Sequence, residues 1–177
     1  MMQSNHSRPI PESYWVLPNR FLAGEYPGSH DENSARRRIS AFLETGITDF
    51  IDLTKPDELI PYEPILKELA PAYGFSAYYT RIPIQDLGLP TRDTMKTILD
   101  TIDLALNKDR KIYVHCWGGV GRTGMAVGCY LVRQGMTGER ALSQIAQWWK
   151  NMPKRIYFPR SPETDAQVEF IRNWHEE

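Results

Sequence analysis

Val114-His115-Cys116-Trp117-Gly118-Gly119-Val120-Gly121-Arg122-Thr123-Gly124 is the stretch on which the fold turns. The preceding residues, Lys111 to His115, read as a buried strand that ends at a cysteine. Five residues rich in glycine follow, and an arginine opens a helix running to Gln134. A strand, a tight turn and a helix in that order form the repeating unit of α/β proteins. The same alternation continues on both sides. Upstream, Tyr14 to Leu22 is a short β-rich entry. Ser29 and Glu32 suggest a capping box for a helix with Ala35, Ile39, Phe42 and Leu43 on one face, and Gly46 ends it. Ile47 to Leu53 reads as a strand, Pro64 to Ala70 as a short helix and Phe75 to Ile84 as another strand. From Thr91, the positions Met95, Ile98, Leu99, Ile102, Ala105 and Leu106 fall at helical spacing. Downstream, Ala141, Leu142, Ile145, Trp148, Trp149 and Met152 form a further stripe. Ser161-Pro162 has the pattern of a last helix start. The expected architecture is α/β, with a central, largely parallel sheet flanked by helices in one domain over residues 1–177. Three loops, Thr54–Pro56, Gln85–Pro90 and Cys116–Gly121, then follow strand ends, where open α/β sheets bind ligands.

The loop after Val114 has a definite chemistry. Its glycines let successive backbone N–H groups converge on one anion. The helix start adds unpaired N–H groups and the positive end of a dipole. Arg122 supplies a planar fork that matches two phosphate oxygens. That positive potential favours Cys116 as a thiolate, the reactive form. A nucleophile at the base of an anion cradle formed by Trp117, Gly118, Gly119, Val120, Gly121 and Arg122 describes phosphoryl transfer to sulfur. A phenolate or alkoxide leaving group needs a proton, and Asp86, on a Pro- and Gly-containing loop after a strand, is placed to give it. Asp93 and Asp100 come next, but helix capping and a solvated face account for them.

Other readings of these residues explain less. A structural cysteine on a glycine turn leaves Arg122 and the glycines without a purpose. Gly119 to Gly124 also fits the GxGxxG pattern, yet a helix-like stripe stands where a dinucleotide fold needs its second strand. Met125 and Ala126 occupy the positions where a nucleoside-triphosphate loop needs Lys and Ser/Thr. Rhodanese-like and arsenate-reducing proteins place cysteine on an anion loop too, without a requirement for Asp86 or Thr123. A phosphate-binding adaptor with a dead site is at odds with an intact Cys116, Arg122 and Asp86. Cys129, among apolar helix positions, reads as core.

His115-Cys116, five residues, then Arg122-Thr123 resembles the active-site loop of protein tyrosine and dual-specificity phosphatases. The wording is closest to the compact dual-specificity branch, such as the cyclin-dependent-kinase-associated phosphatases, and the likeness spans roughly the C-terminal two-thirds of the chain. The resemblance implies a hydrolase acting on phosphotyrosine, and on phosphoserine or phosphothreonine, through a phosphocysteine. It also implies a general acid at Asp86, a hydrogen bond from Thr123 to the Cys116 sulfur, and a His115 that steadies the loop. Thr164-Asp165-Ala166-Gln167 resembles the glutamine loop of larger tyrosine phosphatases, in which glutamine positions water. For Gln167, simple hydrogen bonding in the core is the equal alternative. The chain lacks the Trp-Pro-Asp wording of those enzymes and a phosphotyrosine-recognition loop. It also lacks a lysine between Cys116 and Arg122, which disfavours inositol phosphates. Lys55, Lys154, Arg155 and Arg160 are assigned no role.

Composition sets the remaining expectations. With 21 basic and 22 acidic residues, the formal charge is −1, which gives no electrostatic pull toward nucleic acid or an anionic membrane. The segment from Met1 to Pro11 is polar, so no secretory leader is expected. Two cysteines do not make a disulfide framework and fit a reducing cytoplasm. The expected partners are a phosphorylated protein or small phosphomonoester, with phosphate or another oxyanion in the loop. Neither metal nor organic cofactor is required.

Overall fold

Residues 7–177 are described by a computed structural model. Met1 to His6, the front of the polar segment read as carrying no leader, lie outside the described residues. A five-stranded sheet has the order β1-β2-β5-β3-β4. Its strands are β1 (Ser13–Leu17), β2 (Phe21–Gly24), β3 (Ile47–Asp52), β4 (Tyr78–Arg81) and β5 (Lys111–His115). Only the edge pair β1–β2 is antiparallel. The pairs β2–β5, β3–β5 and β3–β4 are parallel, as the alternating pattern predicts. Among the described residues, six α-helices surround the sheet: α1 (Glu32–Glu44), α2 (Glu63–Leu69), α3 (Arg92–Asn107), α4 (Arg122–Arg133), α5 (Gly138–Trp149) and α6 (Asp165–Arg172).

Strand side chains alternate between two cores because successive Cβ atoms point to opposite faces. Ile112 and Val114 of β5 enter a core shared with α3, α4, α5 and α6. Tyr113 enters the other, with Leu22, Phe50 and the α1 residues Ile39, Phe42 and Leu43. Helix α4 is buried from Arg122 through Leu131, a consequence of lying between the sheet and its neighbouring helices. The Cys129 thiol sits there, its pKa pushed well up by burial, as the core reading of that residue requires.

Three local expectations change. The α1 cap is Asp31 and not Ser29: an Asp31 carboxylate oxygen accepts the Ser34 N–H at 2.7 Å. Ser29 instead accepts the Asp31 N–H. The strand expected over Phe75–Ile84 pairs only from Tyr78 to Arg81, because β4 is an edge with a single neighbour, β3. The final helix does not start at Ser161-Pro162, whose peptide bond is cis. It starts at Asp165, where Thr164 and Gln167 make a reciprocal capping box; this satisfies the helix's first N–H groups.

Strand order positions the site. Since β5 is central and parallel to β2, β3 and β4 are too, four strands release their loops at one edge. The cysteine loop leaves β5 between the loops that follow β2 and β3, and the Asp86 loop follows β4.

Candidate active site

Cys116 is 3% exposed and lies immediately past β5. Several carbonyls around it are tied outward. His115 O accepts from Leu53 N at 2.9 Å and Trp117 O from Tyr26 N at 2.8 Å. Gly118 O accepts from Lys154 Nζ at 2.6 Å, and Val120 O from Ser161 Oγ at 2.6 Å. With the carbonyls engaged outside, the loop's N–H groups remain for an anion. Gly119 allows this path. Its φ is +74°, and a Cβ there would lie 2.5 Å from the Gly24 carbonyl carbon. Gly121 forms the N-cap of α4 without a side-chain cap, so the helix start keeps its unpaired donors.

Arg122 is 1% exposed. Nη1 and Nη2 donate to the two Glu58 carboxylate oxygens at 2.9 and 2.7 Å. Nη1 also reaches Ile84 O at 3.1 Å, and Nη2 lies 3.2 Å from Asp86 Oδ1. Burial alone would depress the guanidinium pKa; the hydrogen bonds to Glu58 lead the groups that outweigh it, and the net direction is upward. Nε is buried and has no partner. A buried donor is costly to leave unpaired.

His115 is fully buried, its pKa lowered chiefly by desolvation. Nδ1 sits 3.1 Å from Cys116 O, and Nε2 lies 2.6 Å from the Tyr62 hydroxyl. A carbonyl only accepts, so Nδ1 carries the proton, and neutral Nε2 accepts from Tyr62. His115 thus steadies the loop through its backbone. Below it, burial would raise the Asp52 pKa, but His115 and hydrogen bonds from Thr54 and Tyr79 hold it below the usual carboxylate range.

The structure places the predicted residues as follows. Cys116, His115, Arg122 and Asp86 come together at the sheet edge. Thr123 is buried beside them, but its hydroxyl donates to Gly24 O, at 3.5 Å, and not to the Cys116 sulfur. Gln167 is buried, with Oε1 accepting from Glu163 N and Thr164 N, each at 3.1 Å, and Nε2 donating to Gly88 O at 3.3 Å. Asp93 lies in the first turn of α3, and Asp100 pairs with Arg133 at 2.9 Å. Lys154, assigned no role, grips Gly118 O and Glu25. Arg160 is engaged with Glu163 O and Asp165.

Two carboxylates of the site escaped the sequence reading. Glu58 partners Arg122; the only signal for it is an acidic residue soon after β3. Glu163 is half-buried, its pKa raised first by burial and then by the Asp86 charge, with Arg122 opposing. Among the described residues, no group of three or more His, Cys, Asp or Glu side chains could hold a metal ion.

Residues 27–136 match the family described as polymorphic toxin system, DSP-PTPase phosphatase. The chain belongs to this family. The match to the DSP-PTPase phosphatases begins well before the C-terminal two-thirds that the residue wording alone indicated, and it ends ahead of α5. Among curated relatives, the chain is 30% identical over 130 residues to the Arabidopsis thaliana phosphatidylinositol 3,4,5-trisphosphate 3-phosphatase and protein-tyrosine-phosphatase PTEN1, covering 72% of the chain and 30% of the relative. It is 30% identical over 173 residues to the Mus musculus protein tyrosine phosphatase domain-containing protein 1, covering 92% and 21%. The chain therefore spans less than a third of either relative. Among solved structures, kinase associated phosphatase superposes with a TM-score of 0.67 at 20% identity, covering 85% of this chain and 83% of that one. That likeness places the fold with the compact dual-specificity phosphatases.

Proposed function

We propose that this DSP-PTPase domain hydrolyses phosphate monoesters, phosphotyrosine foremost and phosphoserine or phosphothreonine by the same chemistry, through a phosphocysteine. The observation that carries this reading is Arg122: fully buried, held in orientation by Glu58, and left with an unpartnered Nε on the residue that follows the Cys116 loop. Its free Nε and the loop N–H groups would hold the equatorial phosphate oxygens. The Cys116 sulfur attacks phosphorus, the P–O bond to the leaving group breaks, and the Asp86 carboxyl gives its proton to the departing oxygen. Water then attacks phosphorus, Asp86 takes a proton from it, and the P–S bond breaks to return the thiolate and inorganic phosphate.

Thr123 would assist that second step by turning its hydroxyl to the sulfur. Its present contact to Gly24, at 3.5 Å, is at the outer limit of a hydrogen bond and weak enough to give up. Beside the loop, a cleft of about 240 Å³ runs past Trp117, Tyr26, His30, Arg38 and Ile60, and would receive the residue flanking the phosphorylated side chain. The name of the Arabidopsis relative includes a phosphoinositide, but this loop has no lysine between Cys116 and Arg122 to meet extra phosphates. A phosphorylated protein or small aryl phosphate is the better fit. A thiolate nucleophile also suits a reducing compartment such as the cytoplasm; among the described residues no helix is long and apolar enough to cross a membrane.

The test pairs Cys116→Ser with the wild-type protein on an aryl phosphate, measuring turnover and phosphate binding on the same preparation. Turnover should vanish while binding remains, because the serine hydroxyl is not ionised near neutral pH and the cradle is untouched. Substantial residual turnover removes Cys116 from the nucleophile's role.

A further inference from the structure

We infer that Gln167 is a positioning residue that holds the Asp86 turn against the phosphate loop, and not the residue that aligns the attacking water. The amide is fully buried, and its partners settle its orientation. Oε1 accepts from two backbone N–H groups, Glu163 and Thr164, while Nε2 donates to a carbonyl, Gly88. The reversed amide would set donor against donor at one end and acceptor against acceptor at the other. Both lone pairs and one of the two amide protons are thereby committed to backbone. The same amide presses on the phosphate loop: a Cβ on Gly121 would come within 2.8 Å of Oε1. Gln167 therefore touches the loop that binds phosphate, the loop that carries the proton donor and the start of α6.

The Asp86 turn needs such support. Gln85 to Gly88 close a turn through Gly88 N to Gln85 O at 2.9 Å, with Leu87 at φ +60°. That turn position favours glycine, and a leucine held left-handed is strained. A strained turn persists only where its surroundings hold it. On one side Ile84 is anchored by Leu53 O and by Arg122. On the other, Gly88 O is held by Gln167. Loss of that bond lets the turn relax and withdraws the Asp86 carboxyl from the leaving oxygen, while the anion cradle stays in place.

This rests on Asp86 being the proton donor, so the experiment includes Asp86→Asn. The value of kcat/KM is compared for phenyl phosphate, whose leaving group needs a proton, and dinitrophenyl phosphate, whose leaving group does not. The hydrolysis rate of the intermediate is read from single-turnover traces. Gln167→Met should lower kcat/KM for phenyl phosphate about tenfold more than for dinitrophenyl phosphate, a fraction of the roughly 10²–10⁴-fold that a general acid supplies. Gln167→Glu keeps the oxygen that caps α6, and in its ionised form it loses the donor to Gly88; it should move the same ratio in the same direction should the methionine variant fail to fold. Thr164→Ala removes the other half of the capping box and should leave the ratio unchanged. A loss confined to hydrolysis of the intermediate, independent of leaving group, would return Gln167 to a water-positioning role and overturn the inference. So would a ratio that shifts equally in Thr164→Ala. If Asp86→Asn shows the leaving-group dependence and neither Gln167 variant does, this inference alone fails. If Asp86→Asn lacks it too, the assignment of Asp86 falls as well.

Discussion

Arg122 and Glu58 meet in a two-pronged pair, 2.7 and 2.9 Å from nitrogen to oxygen, with the arginine 1% exposed. The pair holds the guanidinium plane and leaves Nε without a partner. The Arg122 fork lowers the Glu58 pKa, chiefly through its hydrogen bonds, so the carboxylate stays charged across the neutral range. Glu58→Gln should keep the fold and lower kcat/KM by on the order of 10- to 100-fold, the scale of loss when a reacting group is displaced. Glu58→Ala should also cost up to about 3 kcal/mol in stability by leaving a buried cation without its partner. Denaturant titration beside steady-state kinetics separates the two effects.

Replacing Arg122 with lysine keeps a charge but loses the planar fork. The Arg122→Lys variant should therefore be nearly as impaired as Arg122→Ala. A lysine variant with most of the wild-type kcat/KM would reduce the clamp to a diffuse charge effect.

Asp86→Asn should slow phosphocysteine formation strongly with phenyl phosphate, by roughly 10²-fold or more, and much less with a nitrated phenol. Burst kinetics are the appropriate measurement, because losing the base role also slows hydrolysis of the intermediate. A uniform loss across leaving groups would mean that Asp86 only shapes its turn.

His115 gives stability a pH dependence of definite sign. Its folded pKa lies below the ordinary value of 6.5 because burial disfavours the charged ring. The unfolded chain therefore binds a proton first as pH falls. The contribution of His115 is complete above pH 6.5 and is lost as pH drops from there toward the folded pKa, with a slope of at most about 1.4 kcal/mol per pH unit. Asp52, also lowered, adds its loss only below its ordinary 3.8. Unfolding free energy measured between pH 7.5 and 5 should decline, and His115→Gln should remove one proton's worth of that slope. An unchanged slope in the variant would mean that His115 does not titrate in this window.

Gly119→Ala should cripple the loop. The backbone there is left-handed, and the added methyl would meet the Gly24 backbone, which cannot swing aside as a side chain could. Strain of about 1–3 kcal/mol is expected, lowering Tm by roughly 2–4 °C per kcal/mol for a chain of this size and raising KM for aryl phosphates. Normal Tm and KM would mean that the loop adapts to a Cβ.

The cysteine loop was legible in the linear sequence because its chemistry is local. Cys116, the glycines and Arg122 lie within seven consecutive residues, and a strand before them with a helix after them dictates how they curl. The parallel sheet was legible for a related reason: strand-like and helix-like periods alternate along the chain. Glu58, Glu163 and the Gly88 partner of Gln167 were hidden because each acts across a large sequence separation, and strand order alone decides which loops share an edge. The start of α6 was misplaced for the same cause. Ser161-Pro162 has the composition of a helix start, yet Ser161 spends its hydroxyl on Val120 O in the phosphate loop. Thr164 and Gln167 take over the cap. The proposed nucleophile and clamp are thus properties of one short segment, whereas the orientation of Arg122 and the support of the Asp86 turn come from partners after β3, after β4 and on α6, since orientation requires partners that the segment does not contain.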